Sequence, residues 1–155
     1  MKIMDFLNKK AICANLKSVD KEGVIKELID ILADAGTIKG KKDEITKILM
    51  AREALGSTGI GQGVGIPHGK SSHMKSLVAA FGLSKKGVDF ESLDGEPTYI
   101  FFLLLAPEDS AGPHLKALAR ISRLLKDKYI REMLKQAESE KDIIKIISDE
   151  DQRKR

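Results

Sequence analysis

An apolar run of eight residues, Tyr99 to Ala106, constrains the fold more than any other segment of the chain. It is too short to cross a membrane, because a spanning helix needs about 20 apolar residues. Its leucines would also suit a helix. Its length, its β-branched and aromatic beginning, and the flanking Pro97 and Pro107 favour a strand. We therefore predict that residues 98–106 form the central strand of a sheet.

Helical and extended patterns alternate around this strand. Apolar residues spaced three and four apart predict five helices. Their ranges are 22–35, 42–55, a helix from Pro113 onward, 130–137 and 139–148. Further short strands are predicted at 11–16, 64–67 and 77–83. Lys85 to Gly87 and Asp94-Gly95 are turn signals. This order predicts an α/β fold: a single domain, residues 1–155, with a mixed parallel and antiparallel sheet of about four to five strands flanked by helices.

Composition excludes several functional classes. The net charge of +4, from 27 basic and 23 acidic residues, is too small to indicate a nucleic-acid partner, and part of it lies in a basic tail at about 150–155. Aromatic residues are 5% with no Trp, which argues against an RNA-stacking surface. The single Cys13 excludes an intramolecular disulfide, and no signal peptide is recognisable. We expect a cytoplasmic protein without direct membrane insertion.

A glycine-rich loop precedes the most informative histidine. Five of the ten residues from Gly56 to Gly65 are glycine, and His68 follows between Pro67 and Gly69. Glycine at this density permits positive φ and close approach of another molecule, and exposed amides can hold an anion. The loop lacks the Lys-Ser/Thr ending of a P-loop, so a nucleotide site is not supported. A reactive imidazole and an ordinary surface histidine in a tight turn both remain open from spacing alone.

Other polar residues are candidates for the same site. His114 follows Gly112-Pro113 at the start of a predicted helix, where it could contact an anion or simply cap the helix. Arg52 could bind two phosphate oxygens or be a solvated helix charge, and Thr58 could donate a hydroxyl or stabilise a turn. His73 lies in a polar stretch and is expected to be solvent-exposed without a role. The three histidines show no regular metal-ligand spacing.

Residues 51–70, AREALGSTGIGQGVGIPHGK, closely resemble the phosphorylation-site region of enzyme IIA proteins of the phosphoenolpyruvate-dependent sugar phosphotransferase system. The resemblance is to the fructose/mannitol class (type 2), which includes nitrogen-regulatory relatives. Residues 101–107 (FFLLLAP) and 114–125 (HLKALARISRLL) resemble that family's central strand and the helix that bears its second histidine. The similarity covers residues from about 5 to about 150, and the long motif that ends in Pro-His-Gly is specific.

The resemblance implies that His68 accepts a phosphoryl group from a phosphohistidine on the carrier protein HPr and passes it to a IIB domain. It assigns His114 and Arg52, both expected at the surface, to the catalytic site. Thr58, Gly59 and Gly69 are candidate substrate-binding residues. Phosphoryl transfer requires positioning and charge neutralisation, and we expect no metal and no cofactor.

Three functions remain open from the sequence. The chain could be a phosphocarrier for uptake of fructose, mannitol or a related sugar. It could be a nitrogen-regulatory protein whose phosphorylation state controls partner proteins, because the chemistry at His68 is the same in both cases. A more distant alternative is a histidine-based metal-binding module.

Overall fold

The apolar run forms the middle of a six-stranded sheet in a computed structural model that describes residues 1–153. The strands are β1 (Leu7–Cys13), β2 (Gly59–Gly61), β3 (Val64–Gly65), β4 (His68–Ser71), β5 (Val78–Val88) and β6 (Thr98–Pro107). The helices are α1 (Lys21–Asp34), α2 (Lys42–Ala54), α3 (Ala111–Lys126), α4 (Lys128–Gln136) and α5 (Glu140–Arg153), and Ile3–Asp5 form a short 3-10 turn.

The sheet is mixed, as predicted. Its strand order is β1-β5-β6-β3-β2, and β4 pairs with β6 beside β3. β5 and β6 are antiparallel, and so are β2 and β3, whereas β1 runs parallel to β5 and both β3 and β4 run parallel to β6. The α/β class and the central position of β6 are therefore confirmed. The sheet has six strands because the glycine-rich region forms three short strands where one was predicted.

Both faces of the sheet are covered by helices. The neighbouring residues Phe101 and Phe102 are fully buried and point to opposite faces, as strand geometry requires. Phe102 packs edge-to-face on Phe81 on the side of α3, α4 and α5, with ring centroids 5.0 Å apart. Phe101 packs on Phe90 on the side of α1 and α2, at 5.1 Å. A strand buried on two sides explains why its sequence is almost continuously apolar.

Some element boundaries differ from the predictions. β1 begins at Leu7, earlier than the predicted 11, because it is an edge strand whose residues 8–10 face solvent and whose pairing is irregular between Leu7 and Ile12. β5 continues through the expected turn at Lys85 to Gly87, where Gly87 has a φ of 87°. No helix within residues 1–153 is long and apolar enough to cross a membrane.

The expected basic tail is partly helical. α5 continues to Arg153, and its residues Glu150 and Asp151 are buried. Asp151 accepts a hydrogen bond from Arg120 Nε at 2.8 Å, which links α5 to α3. Lys154 and Arg155, the rest of that predicted tail, lie outside the described residues.

Candidate functional site

His68 lies where the edge of the sheet is interrupted. It is the first residue of β4 and follows Pro67, which separates β4 from β3. The two short strands β3 and β4 both pair with β6 in parallel, with Val64 opposite Ile100 and His68 opposite Leu104. The Pro67 carbonyl accepts a hydrogen bond from the Leu104 amide at 2.9 Å. The break therefore leaves the ladder with β6 intact and places a half-buried imidazole at its edge.

A backbone contact determines which nitrogen of His68 carries the hydrogen in the neutral ring. Nδ1 lies 2.7 Å from the carbonyl oxygen of Ile66. A carbonyl oxygen can only accept, so Nδ1 carries the hydrogen and donates it. In the neutral ring the free lone pair is then on Nε2. The sequence left open which nitrogen would accept a phosphoryl group, and this hydrogen bond makes Nε2 the candidate.

His114 packs against His68 from the first turn of α3. The two ring centroids are 5.6 Å apart and the rings meet edge to face at 74°. His114 is 6% exposed, so the expectation that it lies at the surface was wrong. The reason is helical spacing: His114 shares its face of α3 with Ala117 and Ile121, both fully buried, three and seven residues on.

The environment of His114 keeps its ring neutral. Burial is the main cause that lowers its pKa from 6.5 to about 4, and positive charge at His68 and Lys70 contributes to the same shift. Its Nε2 atom is buried and has no hydrogen-bond partner within the described residues. An unpaired buried polar atom is costly and uncommon, so this atom is a candidate to bond a group added at His68.

Cationic and apolar side chains surround the two histidines in an open cavity of about 570 Å³. The lining residues are Ile48, Ala51, Arg52, Leu55, His68, Gly69, Lys70, Ala111, His114, Leu115 and Leu118. Arg52 is half-buried, and its Nη1 donates to the carbonyl of Gly56 at 2.9 Å. The lining contains two permanent cations and no carboxylate, which favours an anionic occupant.

The start of α3 adds to this preference for anions. Its first turn contains no acidic residue, and the N-cap Ser110 makes no side-chain capping bond. The first N–H groups of a helix have no partner within the helix and carry partial positive charge. Ala111 lines the cavity, so this helix end faces the space beside His68. A phosphoryl group there would meet positive potential from Arg52, Lys70 and the helix.

Two predicted binding residues lie outside the cavity lining. Thr58 is 4% exposed, and its hydroxyl makes a short hydrogen bond to the buried carboxylate of Glu53. Gly59 is also buried, and a Cβ added to it would lie 3.0 Å from the Cα of Ser92. Close backbone approach therefore accounts for this glycine. Direct contact of either residue with a substrate stays a prediction from the sequence.

Gly69 lines the cavity and His73 lies outside its lining, while substrate binding by Gly69 stays a prediction from the sequence. Gly69 lines the cavity, and a Cβ there would be 3.0 Å from Ile48 Cγ2, so the glycine lets α2 approach β4 closely. His73 is exposed, as predicted, and is not among the cavity residues. Residues 1–153 contain no group of three or more His, Cys, Asp or Glu side chains that could hold a metal ion.

Two charged residues, Lys70 in the cavity lining and the buried Glu53 next to Arg52 in the sequence, were not among the predicted site residues. Lys70 follows His68 by two positions, and alternation along a strand places both on one side of β4. Glu53 continues the buried face of α2 that contains Leu49 and Ile45, four and eight residues earlier. A carboxylate at helical spacing on an apolar face was the available signal for a buried, bonded acid.

The chain is similar to known proteins over most of its length. Residues 5–150 match the family described as phosphoenolpyruvate-dependent sugar phosphotransferase system, EIIA 2. The chain belongs to this family. It is 43% identical over 151 residues to the PTS system fructose-specific EIIABC component of Bacillus subtilis, a match that covers 97% of this chain and 24% of that protein. It therefore spans about a quarter of the length of that relative.

Two other matches are nitrogen regulatory proteins, and a third is a mannitol-specific IIA protein. A nitrogen regulatory protein of Bradyrhizobium diazoefficiens is 38% identical over 149 residues, covering 96% of this chain and 95% of that protein. The crystal structure of nitrogen regulatory protein IIA-Ntr from Neisseria meningitidis superposes with a TM-score of 0.85 at 32% identity, covering 94% and 98% of the two chains. IIA mannitol of Escherichia coli, solved in complex with phosphorylated IIB mannitol, shares the fold at 18% identity, with a TM-score of 0.76 over 90% and 94% of the chains.

Proposed function

We propose that this chain is a phosphocarrier of the sugar phosphotransferase system. Nε2 of His68 attacks the phosphorus of a phosphohistidine on an HPr-type carrier protein. The N–P bond of the donor breaks, its electron pair returns to the donor imidazole, and a new N–P bond forms at His68. In the second step a cysteine or histidine of a IIB domain takes the phosphoryl group, and His68 regains its lone pair.

The hydrogen bond between His68 Nδ1 and the Ile66 carbonyl carries this proposal. It holds the ring at one nitrogen and leaves the other as the nucleophile. Phosphoryl transfer depends mainly on in-line positioning and on neutralisation of the moving charge, both of which a fixed imidazole in a cationic cavity supplies.

The groups around His68 have separate tasks in this scheme. Arg52 and Lys70 neutralise negative charge on the phosphoryl oxygens, and the first turn of α3 adds favourable potential. Neutral His114, in the tautomer with hydrogen on Nε2, donates a hydrogen bond to one of those oxygens. No metal or nucleotide enters the scheme. The single Cys13 suits a reducing compartment, and we place the reaction in the cytoplasm.

Apolar residues around the cavity offer a surface for protein partners. Leu55 and Leu115 are 86% and 69% exposed, and both line the cavity that contains His68. Exposed leucines beside a reactive group are typical of surfaces that pack against another protein. The E. coli IIA mannitol structure in complex with phosphorylated IIB mannitol supports a IIB domain as one partner.

Phosphoryl uptake from a reconstituted system tests the proposal. The wild-type chain, incubated with phosphoenolpyruvate, enzyme I and HPr, should take up one acid-labile phosphoryl group. His68→Ala should take up none, whereas His73→Ala, at an exposed histidine outside the cavity, should be labelled at the wild-type rate. Arg52→Ala and His114→Ala should slow labelling. Equal labelling of His68→Ala and wild type would disprove the assignment.

A regulatory role is the second candidate. It is favoured by the nitrogen regulatory protein of B. diazoefficiens, which this chain matches over 95% of that protein's length. Transfer of label from the phosphorylated chain to a purified fructose-class IIB domain would support sugar transport. If no label moves, and a target protein is retained by either the phosphorylated or the unphosphorylated chain but not by both, the regulatory role is supported instead.

A further inference from the structure

We propose that Glu53 and Thr58 are positioning residues that hold both His68 and Arg52 for phosphoryl transfer. The inference rests on the function proposed for His68. It assigns to Thr58 a task other than direct substrate contact, and it gives a task to a carboxylate that the reaction scheme does not use. Neither side chain lines the cavity, so both would act through the backbone.

Glu53 and Thr58 are joined directly by hydrogen bonds. The Glu53 side chain is 2% exposed, and its carboxylate accepts hydrogen bonds from both the amide and the hydroxyl of Thr58. Lys21 Nζ lies 3.0 Å from Glu53 Oε1 and 3.2 Å from Glu91 Oε1, and its own side chain is 11% exposed. A buried carboxylate that is paired and fully bonded is an anchor with one favoured geometry.

Thr58 is connected to His68 through the backbone of Ile66. The carbonyl of Thr58 accepts a hydrogen bond from the Ile66 amide at 3.0 Å. The carbonyl of the same Ile66 accepts from His68 Nδ1 at 2.7 Å. Three consecutive hydrogen bonds therefore connect the Glu53 carboxylate to the ring nitrogen that sets the tautomer of His68. Displacement of Thr58 would move the acceptor on which that tautomer depends.

Thr58 is also connected to the guanidinium of Arg52, through the loop that contains Gly56. Arg52 Nη1 donates to the carbonyl of Gly56, which lies in the short loop between α2 and Thr58. One end of that loop is fixed by α2 and the other by the bonds from Glu53 to Thr58. The same carboxylate therefore sets the position of the carbonyl that holds Arg52. A displacement of about 1 Å in a reacting group can cost up to 100-fold in rate.

Substitutions at Thr58 test this connection more safely than substitutions at Glu53. Removal of the carboxylate would leave Lys21 without its buried counter-charge and would threaten the fold. Thr58→Val removes the hydroxyl with little change of shape, and Thr58→Ser retains the hydroxyl. Thr98→Val is a matched control, because Thr98 is fully buried and its hydroxyl has no hydrogen-bond partner within the described residues.

Two measurements separate positioning from general loosening. In single-turnover labelling by phosphorylated HPr, Thr58→Val should slow the transfer step about 10-fold and change KM less than about 2-fold. Imidazole ¹⁵N NMR should show His68 mainly as the Nδ1–H tautomer in the wild type and as a mixture in Thr58→Val. Thr58→Ser should restore most of the rate and the tautomer, and Thr98→Val should leave both unchanged.

The outcomes that overturn the inference differ from those that overturn the function. If Thr58→Val transfers at the wild-type rate with the wild-type tautomer, Thr58 does not position His68. If Thr98→Val slows transfer as much as Thr58→Val, the effect is general loosening and the inference fails. If the wild type takes up no label, the proposed function fails, and the tautomer measurement still decides whether Thr58 orients the imidazole.

Discussion

The pKa of His114 makes folding stability depend on pH in a calculable way. In the folded chain burial lowers this pKa to about 4, whereas the unfolded value is near 6.5. Between these values the unfolded state binds more protons, so the free energy of unfolding falls as the pH falls. The penalty is nearly absent at pH 7, and by pH 5 it amounts to about 2 kcal/mol.

The assay is urea unfolding, followed by circular dichroism, of wild type and His114→Gln at pH 7, 6 and 5. Glutamine cannot titrate, and the carboxylates that titrate below pH 6 are common to both proteins. The wild type should therefore lose about 2 kcal/mol relative to His114→Gln between pH 7 and pH 5. If the free energy of unfolding changes equally with pH in the two proteins, the ring of His114 is not held neutral by burial. If the wild type becomes more stable than His114→Gln as the pH falls, the pKa of His114 is raised by folding and the reasoning is wrong.

A phosphoryl group on His68 should act in the opposite direction on the same ring. Two negative charges close to His114 favour the imidazolium, so phosphorylation should raise the pKa of His114 from about 4. NMR titration of the His114 ring measures this shift if it extends down to about pH 4 in the unlabelled protein and covers pH 6 to pH 8 in the labelled protein. An unchanged pKa after labelling would place the phosphoryl group away from His114.

Three further predictions concern packing and the partner surface. Gly69→Ala should lower the free energy of unfolding by about 1–3 kcal/mol, because its Cβ would lie 3.0 Å from Ile48 Cγ2, and thermal unfolding at wild-type Tm would contradict this. Asp151→Ala should cost about 3 kcal/mol in urea unfolding, since it removes the buried partner of Arg120, and a loss below about 1 kcal/mol would show that the pair is dispensable. Leu115→Ser should raise KM for phosphorylated HPr several-fold at unchanged Tm, and an unchanged KM would remove this leucine from the docking surface.

The sequence predicted the elements whose signals are local. The helices α1 and α2 follow the apolar spacing closely, and β6 ends at Pro107, where a ladder donor is lost. β4 was missed because its four residues, HGKS, are mostly polar and too few to show alternation. Pairing of His68 to Ser71 with Leu104 to Pro107 creates that strand, and pairing with a distant segment is invisible in a local pattern.

The identity of the main candidate site residues could be predicted from the sequence, but their burial and their contacts could be predicted only in part. The resemblance singled out His68, His114 and Arg52, and the structure brings all three to one cavity. It did not reveal that His114 is buried, because a histidine after Gly-Pro reads equally well as a solvated helix start. The task of Thr58 was also hidden, since its hydrogen bonds to Glu53 depend on where the loop after α2 turns.

The cavity itself does not separate sugar transport from regulation, because both proposed functions use the same phosphoryl transfer at His68. Every polar group that lines it can be used by the transfer step, through charge or through hydrogen bonding. The choice of acceptor must therefore depend on residues that meet a partner without meeting the phosphoryl group. Leu55 and Leu115 fit that condition, since both are largely exposed and neither carries a polar side chain. Replacing both leucines with serine should therefore change transfer to the acceptor by a larger factor than the several-fold effect expected on KM for phosphorylated HPr.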